Sequence, residues 1–357
     1  MSSARSRCIC ARAAAILASL QYSPNANRSY EMRVVRASID GDSAQVAALV
    51  GEPGHTEDDT WLAGYSTALF THDYATTRKL FVHLYDDISR PAYVRARTGV
   101  VLAELDVLHG RFANAQSRLD QVAALSPAMA FEYRGAIAVL PYPVPDTNHV
   151  ARLRSIRDAL ERWDAGATPD VPPSAANFST TNGLHALARD YLIGMINAAL
   201  GDTAGATRAA REMSTFAAAH AHILFTQNLS DAILDELTWT AGHGVQAVPP
   251  IAEYYQLLLG SVFRSQSRER YRWAQSLAAA GRDSAAISWY SSFEVASIDD
   301  MLFLAPSHLE LARLHARMGQ KALAAEHYRA FLALWSNCDP ALRPLVTQAE
   351  RERAALQ

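Results

Sequence analysis

Residues 311–335 read LARLHARMGQKALAAEHYRAFLALW. Leu311, Leu314, His315 and Met318 fall at helical spacing before Gly319, and Ala324, Tyr328, Phe331, Leu332 and Trp335 make a stripe of the same period after it. Glycine closes a helix in the left-handed conformation without the penalty that a Cβ brings. A small residue at 324 allows the second helix to lie close against the first, and Tyr328, one turn further along the same face, wedges the pair together. The stretch therefore predicts two helices packed on each other about a tight turn.

The pattern recurs. Gly41, Gly110, Gly201 and Gly281 are each followed five residues later by Val46, Ala115, Ala206 and Ala286, and after four more by Val50, Leu119, Ala210 and Tyr290. A sixth copy centres on His72, with Thr77 and Phe81 at the same offsets. Successive centres lie 31, 38, 91, 80 and 38 residues apart. The shorter intervals match adjacent helix–turn–helix units of about 34 residues, and the two long ones have room for extra helices. In the Gly110 copy, Ala96, Val100, Ala103 and Val107 lead in, and Pro127 is expected to end the second helix. Asp339-Pro340 reads as an N-cap and first-turn proline of a closing helix, which turns polar through Glu350 to Arg353 as the end of a stacked array requires.

These residues resemble the tetratricopeptide (TPR) family, with its aromatic, small and proline positions. The ending, Ala324 to Leu342 (AAEHYRAFLALWSNCDPAL), is similar to the TPR region of large bacterial regulators, where it follows a serine/threonine kinase or winged-helix DNA-binding domain. The likeness runs from about residue 30 to 354 and is strongest from Arg268 onward. It departs from the family at His72, which stands for a turn glycine, and in the irregular central units. The resemblance implies an all-α fold, a TPR-like α/α superhelix of stacked antiparallel helix pairs whose first helices line a concave groove. Carried over position by position, it puts Arg97 and Glu104, Arg268 and Gln275, and Arg313 and Arg317 on that groove. Several arginines there would suit a carboxylate-bearing peptide or tail.

Four segments are expected: a helix or leader remnant at 1–29, TPR-like units at 30–140, a helix and proline-rich linker at 141–183, and further units with the closing helix at 184–357. Within the linker, Asp146 or Thr147 is placed to cap a helix running to about Trp163. Of 357 residues, 33 are Lys or Arg and 36 Asp or Glu, a formal charge of −3 that argues against direct nucleic-acid binding. Cys8, Cys10 and Cys338 complete neither a zinc site nor a disulfide framework. Arg5, Arg7 and Arg12 before the apolar run Ala13 to Leu20 have the outline of a signal peptide. The run is short and no small-x-small cleavage pattern follows, so a cytoplasmic chain is expected. No stretch reaches the ~20 apolar residues of a membrane span.

Catalytic signatures are missing: no P-loop, no G-x-S-x-G elbow, no H-E-x-x-H helix, and neither the His-Arg-Asp nor the Asp-Phe-Gly element of a kinase. His220 and His222 point to different sides of a helix and read as surface residues. The acidic pairs Asp58-Asp59, Asp86-Asp87 and Asp299-Asp300 fall at expected helix ends, where carboxylates cap. Arg152, Arg154, Arg157 and Arg162, interleaved with Asp158 and Glu161, read as a solvated face. Arg264, Arg268, Arg270 and Arg272, flanked by Phe263, Tyr271 and Trp273, could hold an acidic peptide or a phosphate group. The expectation is a non-catalytic protein-interaction or sensory scaffold that binds a protein or peptide in a concave groove, with no cofactor, no metal and no catalytic residue. One alternative is the detached regulatory module of a bacterial signalling or transcription regulator. Another is an α/α toroid hydrolase, which would close on itself and gather acids at one mouth, whereas a TPR array stays open.

Overall fold

The computed structural model describes residues 26–142, 148–170, 172, 182–221, 226, 228–242, 265–295 and 298–356. Gly41, Gly110, Gly201, Gly281 and Gly319 all adopt left-handed backbone, with φ between 67° and 75°, and His72 joins them at 55°. After each glycine the next N–H returns to the carbonyl five residues earlier at 2.8–2.9 Å, from Asp42 to Ala37, Arg111 to Asp106, Asp202 to Asn197, Arg282 to Leu277 and Gln320 to His315. This bond satisfies a carbonyl that the ending helix would otherwise leave open. At His72 the substitute is local, since the Asp73 N–H donates to Thr71 Oγ1 at 3.1 Å. Asp42, Asp73 and Asp202 then cap the helices that follow, each accepting from the backbone N–H three residues on.

Between these turns the described residues form sixteen α-helices and no strand. The first half holds α1 (Ala26–Asp40), α2 (Ser43–Val50), α3 (Glu57–Thr71), α4 (Tyr74–Asp86), α5 (Ala92–Leu108), α6 (Phe112–Ala123), α7 (Pro127–Ala138) and α8 (His149–Arg162). The second holds α9 (His185–Ala199), α10 (Thr203–Ala219), α11 (Leu229–Thr240), α12 (Ser265–Ala279), α13 (Asp283–Ser291), α14 (Leu304–Arg317), α15 (Lys321–Leu334) and α16 (Arg343–Ala354). Each of the six turns joins a packed pair: α1 with α2, α3 with α4, α5 with α6, α9 with α10, α12 with α13, and α14 with α15. Helices α7 and α8 occupy the first long interval and α11 the second. The small position is buried in every pair, from Val46, Thr77 and Ala115 to Ala206, Ala286 and Ala324. One apolar core runs from Ala96 to Leu314, joining helices from α5 to α14.

Pro127 does not end a helix. It is the first residue of α7, behind the N-cap Ser126, while α6 has already stopped at Ala123. Its missing N–H makes it as suitable for starting a helix as for stopping one. Asp339 also has an unexpected partner. Its carboxylate makes no cap bond to the 3-10 turn Pro340–Leu342 and instead accepts from the Ala113 N–H at 2.9 Å. It thereby caps α6, whose own N-cap residue, Arg111, makes no side-chain cap bond.

That contact is part of a closure. The Trp335 indole N–H donates to the Leu108 carbonyl at 3.1 Å, and the Asp339 N–H to the Gly110 carbonyl at 2.9 Å. Ile298, Met301 and Leu304 pack on Phe81, Val101, Leu105 and Leu108. The array is therefore not open between α5 and α15: the chain returns and meets its own third turn. No helix of the described residues is long and apolar enough to cross a membrane.

A Cβ on Gly110 would lie 2.8 Å from Cys338 Cβ and 3.2 Å from both Trp335 and Leu342, whereas one on Gly319 would meet nothing within 4 Å. Gly319→Ala is expected to lose only the left-handed penalty of ~1–2 kcal/mol. Gly110→Ala should lose ~1–3 kcal/mol more from overpacking at the closure, measurable by urea denaturation.

Candidate functional site

A cavity of about 1100 Å³ opens between α6, the end of α7, α8, α11, α12 and the Pro340 turn. Phe112, Leu119, Ile137, Ile156 and Trp239 give it apolar walls, and Arg134, Arg152, Arg272, His149 and Gln275 place nitrogen around it. Two acids, Glu236 and Asp339, also face it. A pocket that is mostly apolar with a few convergent polar groups is the usual form of a binding site.

The polar wall is built where α7 ends. α12 supplies donors to the C-cap carbonyl and to one just past it: Arg268 Nε donates to Val139 O at 3.2 Å, and Arg272 Nη1 and Gln275 Nε2 donate to Pro141 O at 3.0 and 3.2 Å. Arg268 and Arg272 stand four residues apart on one helix face and both reach Glu236 of α11. Arg272 binds both Glu236 oxygens, with Nη2 at 3.1 and 2.9 Å, and its guanidinium lies 4.6 Å over the Trp239 ring. Burial lowers the Arg272 pKa to about 10, which leaves it charged at neutral pH.

The acids at this wall are committed. Glu236 is held by two arginines and Asp339 caps α6. Of the cationic groups, Arg134 pairs at 2.5 Å with Asp120, which is 61% exposed, and Arg152 Nη2 lies 3.3 Å from His149 Nδ1. The cavity thus offers positive charge beside aromatic surface, an arrangement suited to a carboxylate-bearing chain.

Of the residues placed on a groove by sequence, Gln275 lines this cavity, and Arg268 lies behind it, 4% exposed. Arg97 and Glu104 are buried in α5, with Arg97 donating to Tyr133 OH at 2.5 Å and lying over the rings of Trp61 and Tyr133. Arg313 links α14 to α16 through Glu352 at 3.1 Å, and Arg317 links α14 to α13 through Asp283 at 2.8 Å. The structure brings only Arg268 and Gln275 together. Glu236 and Trp239 were missed because the helix that carries them has no turn signal, and Arg152 because its alternation with acids reads as solvated. Arg270 pairs with Asp300 at 2.6 Å rather than facing the cavity. His220 stacks on Phe216 at 4.0 Å. Phe263, Arg264, His222, Asp146, Thr147, Cys8, Cys10 and the Asp299 side chain lie outside the described residues. No family model matches the chain, and no curated protein matches it.

Glu269 sits beside this wall, 6% exposed. Burial raises its carboxyl to about 8, with Arg268 pulling it down and Asp235 and Asp231 pushing it up. Unfolded, it would ionise near pH ~4.3. Between that value and about 8 the folded state keeps a proton that the unfolded state releases, so stability falls as pH rises. Melting temperature measured from about pH 5 to 8 should fall less steeply for Glu269→Gln than for the wild type. Equal slopes would contradict the assignment.

Proposed function

We propose that this chain is a non-catalytic interaction scaffold of the TPR type, an α/α superhelix that holds an acidic peptide or protein tail in the cavity between α6 and α12. The observation that carries this reading is the cavity's lining, which combines Arg134, Arg152 and Arg272 with Phe112 and Trp239. The Arg272 fork is taken up by Glu236 and Pro141 O, so Arg134 and Arg152 are the guanidinium groups that would meet a carboxylate, with Phe112 and Trp239 as apolar surface for the side chains beside it. A volume near 1100 Å³ accommodates a few residues of peptide.

The closure between Gly110 and Asp339 favours a second reading, the α/α toroid hydrolase, because such an enzyme must be a closed ring. Against it stands the use of the cavity's acids. A glycosidase needs one carboxyl free to donate a proton and another free to act as base or nucleophile, and Glu236 and Asp339 serve two arginines and a helix end.

An array of fluorescent peptides, half ending in Asp or Glu and half in their amides, distinguishes the two. The scaffold reading expects the acidic peptides to bind, more weakly as salt rises. Arg134→Glu with Arg152→Glu should lower that affinity at least ~tenfold while leaving the melting temperature within a few degrees. Binding indifferent to charge and to both substitutions would remove the reading, and turnover of oligosaccharides would replace it with the toroid.

A further inference from the structure

Three side chains from successive elements of the C-terminal half converge away from the cavity. Glu294 lies in the 3-10 turn Ser292–Val295 that follows α13, His308 on α14 and His327 on α15. His308 Nδ1 is 3.1 Å from His327 Nδ1, and Glu294 Oε1 is 3.8 Å from the first and 3.6 Å from the second. We propose that Glu294, His308 and His327 form a binding site for a divalent metal ion of the zinc class, which fastens the 3-10 turn after α13 to α14 and α15.

A triangle with these three sides has a circumscribed radius of about 2.0 Å, so one point stands a zinc–nitrogen or zinc–carboxylate bond length from all three atoms. Two ligand atoms in a tetrahedral zinc site are separated by ~3.3 Å, close to the His308–His327 spacing. The ligand atoms come from three different side chains and all lie within 4.8 Å of one another, and the three side chains are only 16%, 12% and 4% exposed.

The donor set narrows the ion. Two imidazoles with one carboxylate match borderline metals such as zinc, cobalt or nickel, while calcium and magnesium take oxygen ligands. Three protein ligands leave a fourth position for water or for a group brought by a partner. The neighbours hold His327 in place: the His315 ring lies parallel to it at 5.3 Å and 3°, and His315 Nδ1 is itself fixed 2.5 Å from Gln320 Oε1. Such surroundings orient a ligand ring before the metal arrives. Both Nδ1 atoms must present a lone pair to the ion, so affinity should fall as the solution is acidified.

The test uses the full chain, stripped with a chelator and titrated with zinc chloride against a chromogenic competitor, and with cobalt chloride by visible absorption. One equivalent of zinc should bind and raise the melting temperature, and cobalt should give the intense visible band of a four-coordinate site. Glu294→Gln and His308→Gln should each weaken binding at least ~tenfold, with helix content unchanged by circular dichroism. Glu294→Gln keeps the shape of the side chain, so its effect is readable even where a histidine variant fails to fold. His220→Gln, on the far helix end, should bind as the wild type does. A folded wild-type chain that takes up no zinc, or one equivalent retained by both Glu294→Gln and His308→Gln, would overturn the site and leave a histidine pair serving packing alone.

Discussion

Gly110 has no Cβ, and that bare turn is where two parts of the chain 226 residues apart in sequence meet. Cys338, Leu342 and Trp335 crowd against it, the Trp335 indole reaches the carbonyl of Leu108, and the Asp339 carboxylate caps α6. Three kinds of interaction act at one place: apolar burial, a buried hydrogen bond and a charge at a helix N-terminus. The closure also fixes what lies inside it. With α6 and the Pro340 turn joined, the space between α6, α8, α11 and α12 becomes a cavity with walls rather than an open face.

The wall of that cavity shows how a buried charge is held. Arg268 and Arg272 would be expensive to desolvate alone, and Glu236 alone equally so. Together they share one carboxylate, and their remaining N–H groups satisfy the open carbonyls of Val139 and Pro141. The network therefore ties the C-cap of α7 and the segment just past it to α11 and α12. Its cost is specificity of position: a shift of one residue along α12 would turn both arginines away by about 100°. The same limit explains why groove residues assigned by register are sensitive to small displacements.

Much of the helical architecture was legible in sequence because its signal is local. A turn glycine, a small or β-branched residue five positions later and another residue of the same face four beyond locate five of the pairs, and His72 keeps the left-handed geometry at the sixth. The site was harder to see because its members are joined by space rather than spacing. Arg268 and Arg272 were visible as a cluster, but their acid, Glu236, lies on a helix introduced by no glycine. Glu294, His308 and His327 match no ligand spacing along the chain. Asp339 looked like the cap of its own helix, and only the folded structure shows that it serves another. Pro127 illustrates the remaining ambiguity: proline marks a helix boundary without saying on which side the helix lies.

The most direct test of the closure is solvent exchange of the Trp335 indole N–H, followed by nuclear magnetic resonance on the full chain. That proton belongs to a residue 1% exposed and donates to Leu108 O, so its exchange should be as slow as that of the core helix amides. Exchange at the rate of an exposed indole, while the helix amides stay protected, would mean that α15 does not meet the turn after α5 and the cavity has no fixed wall.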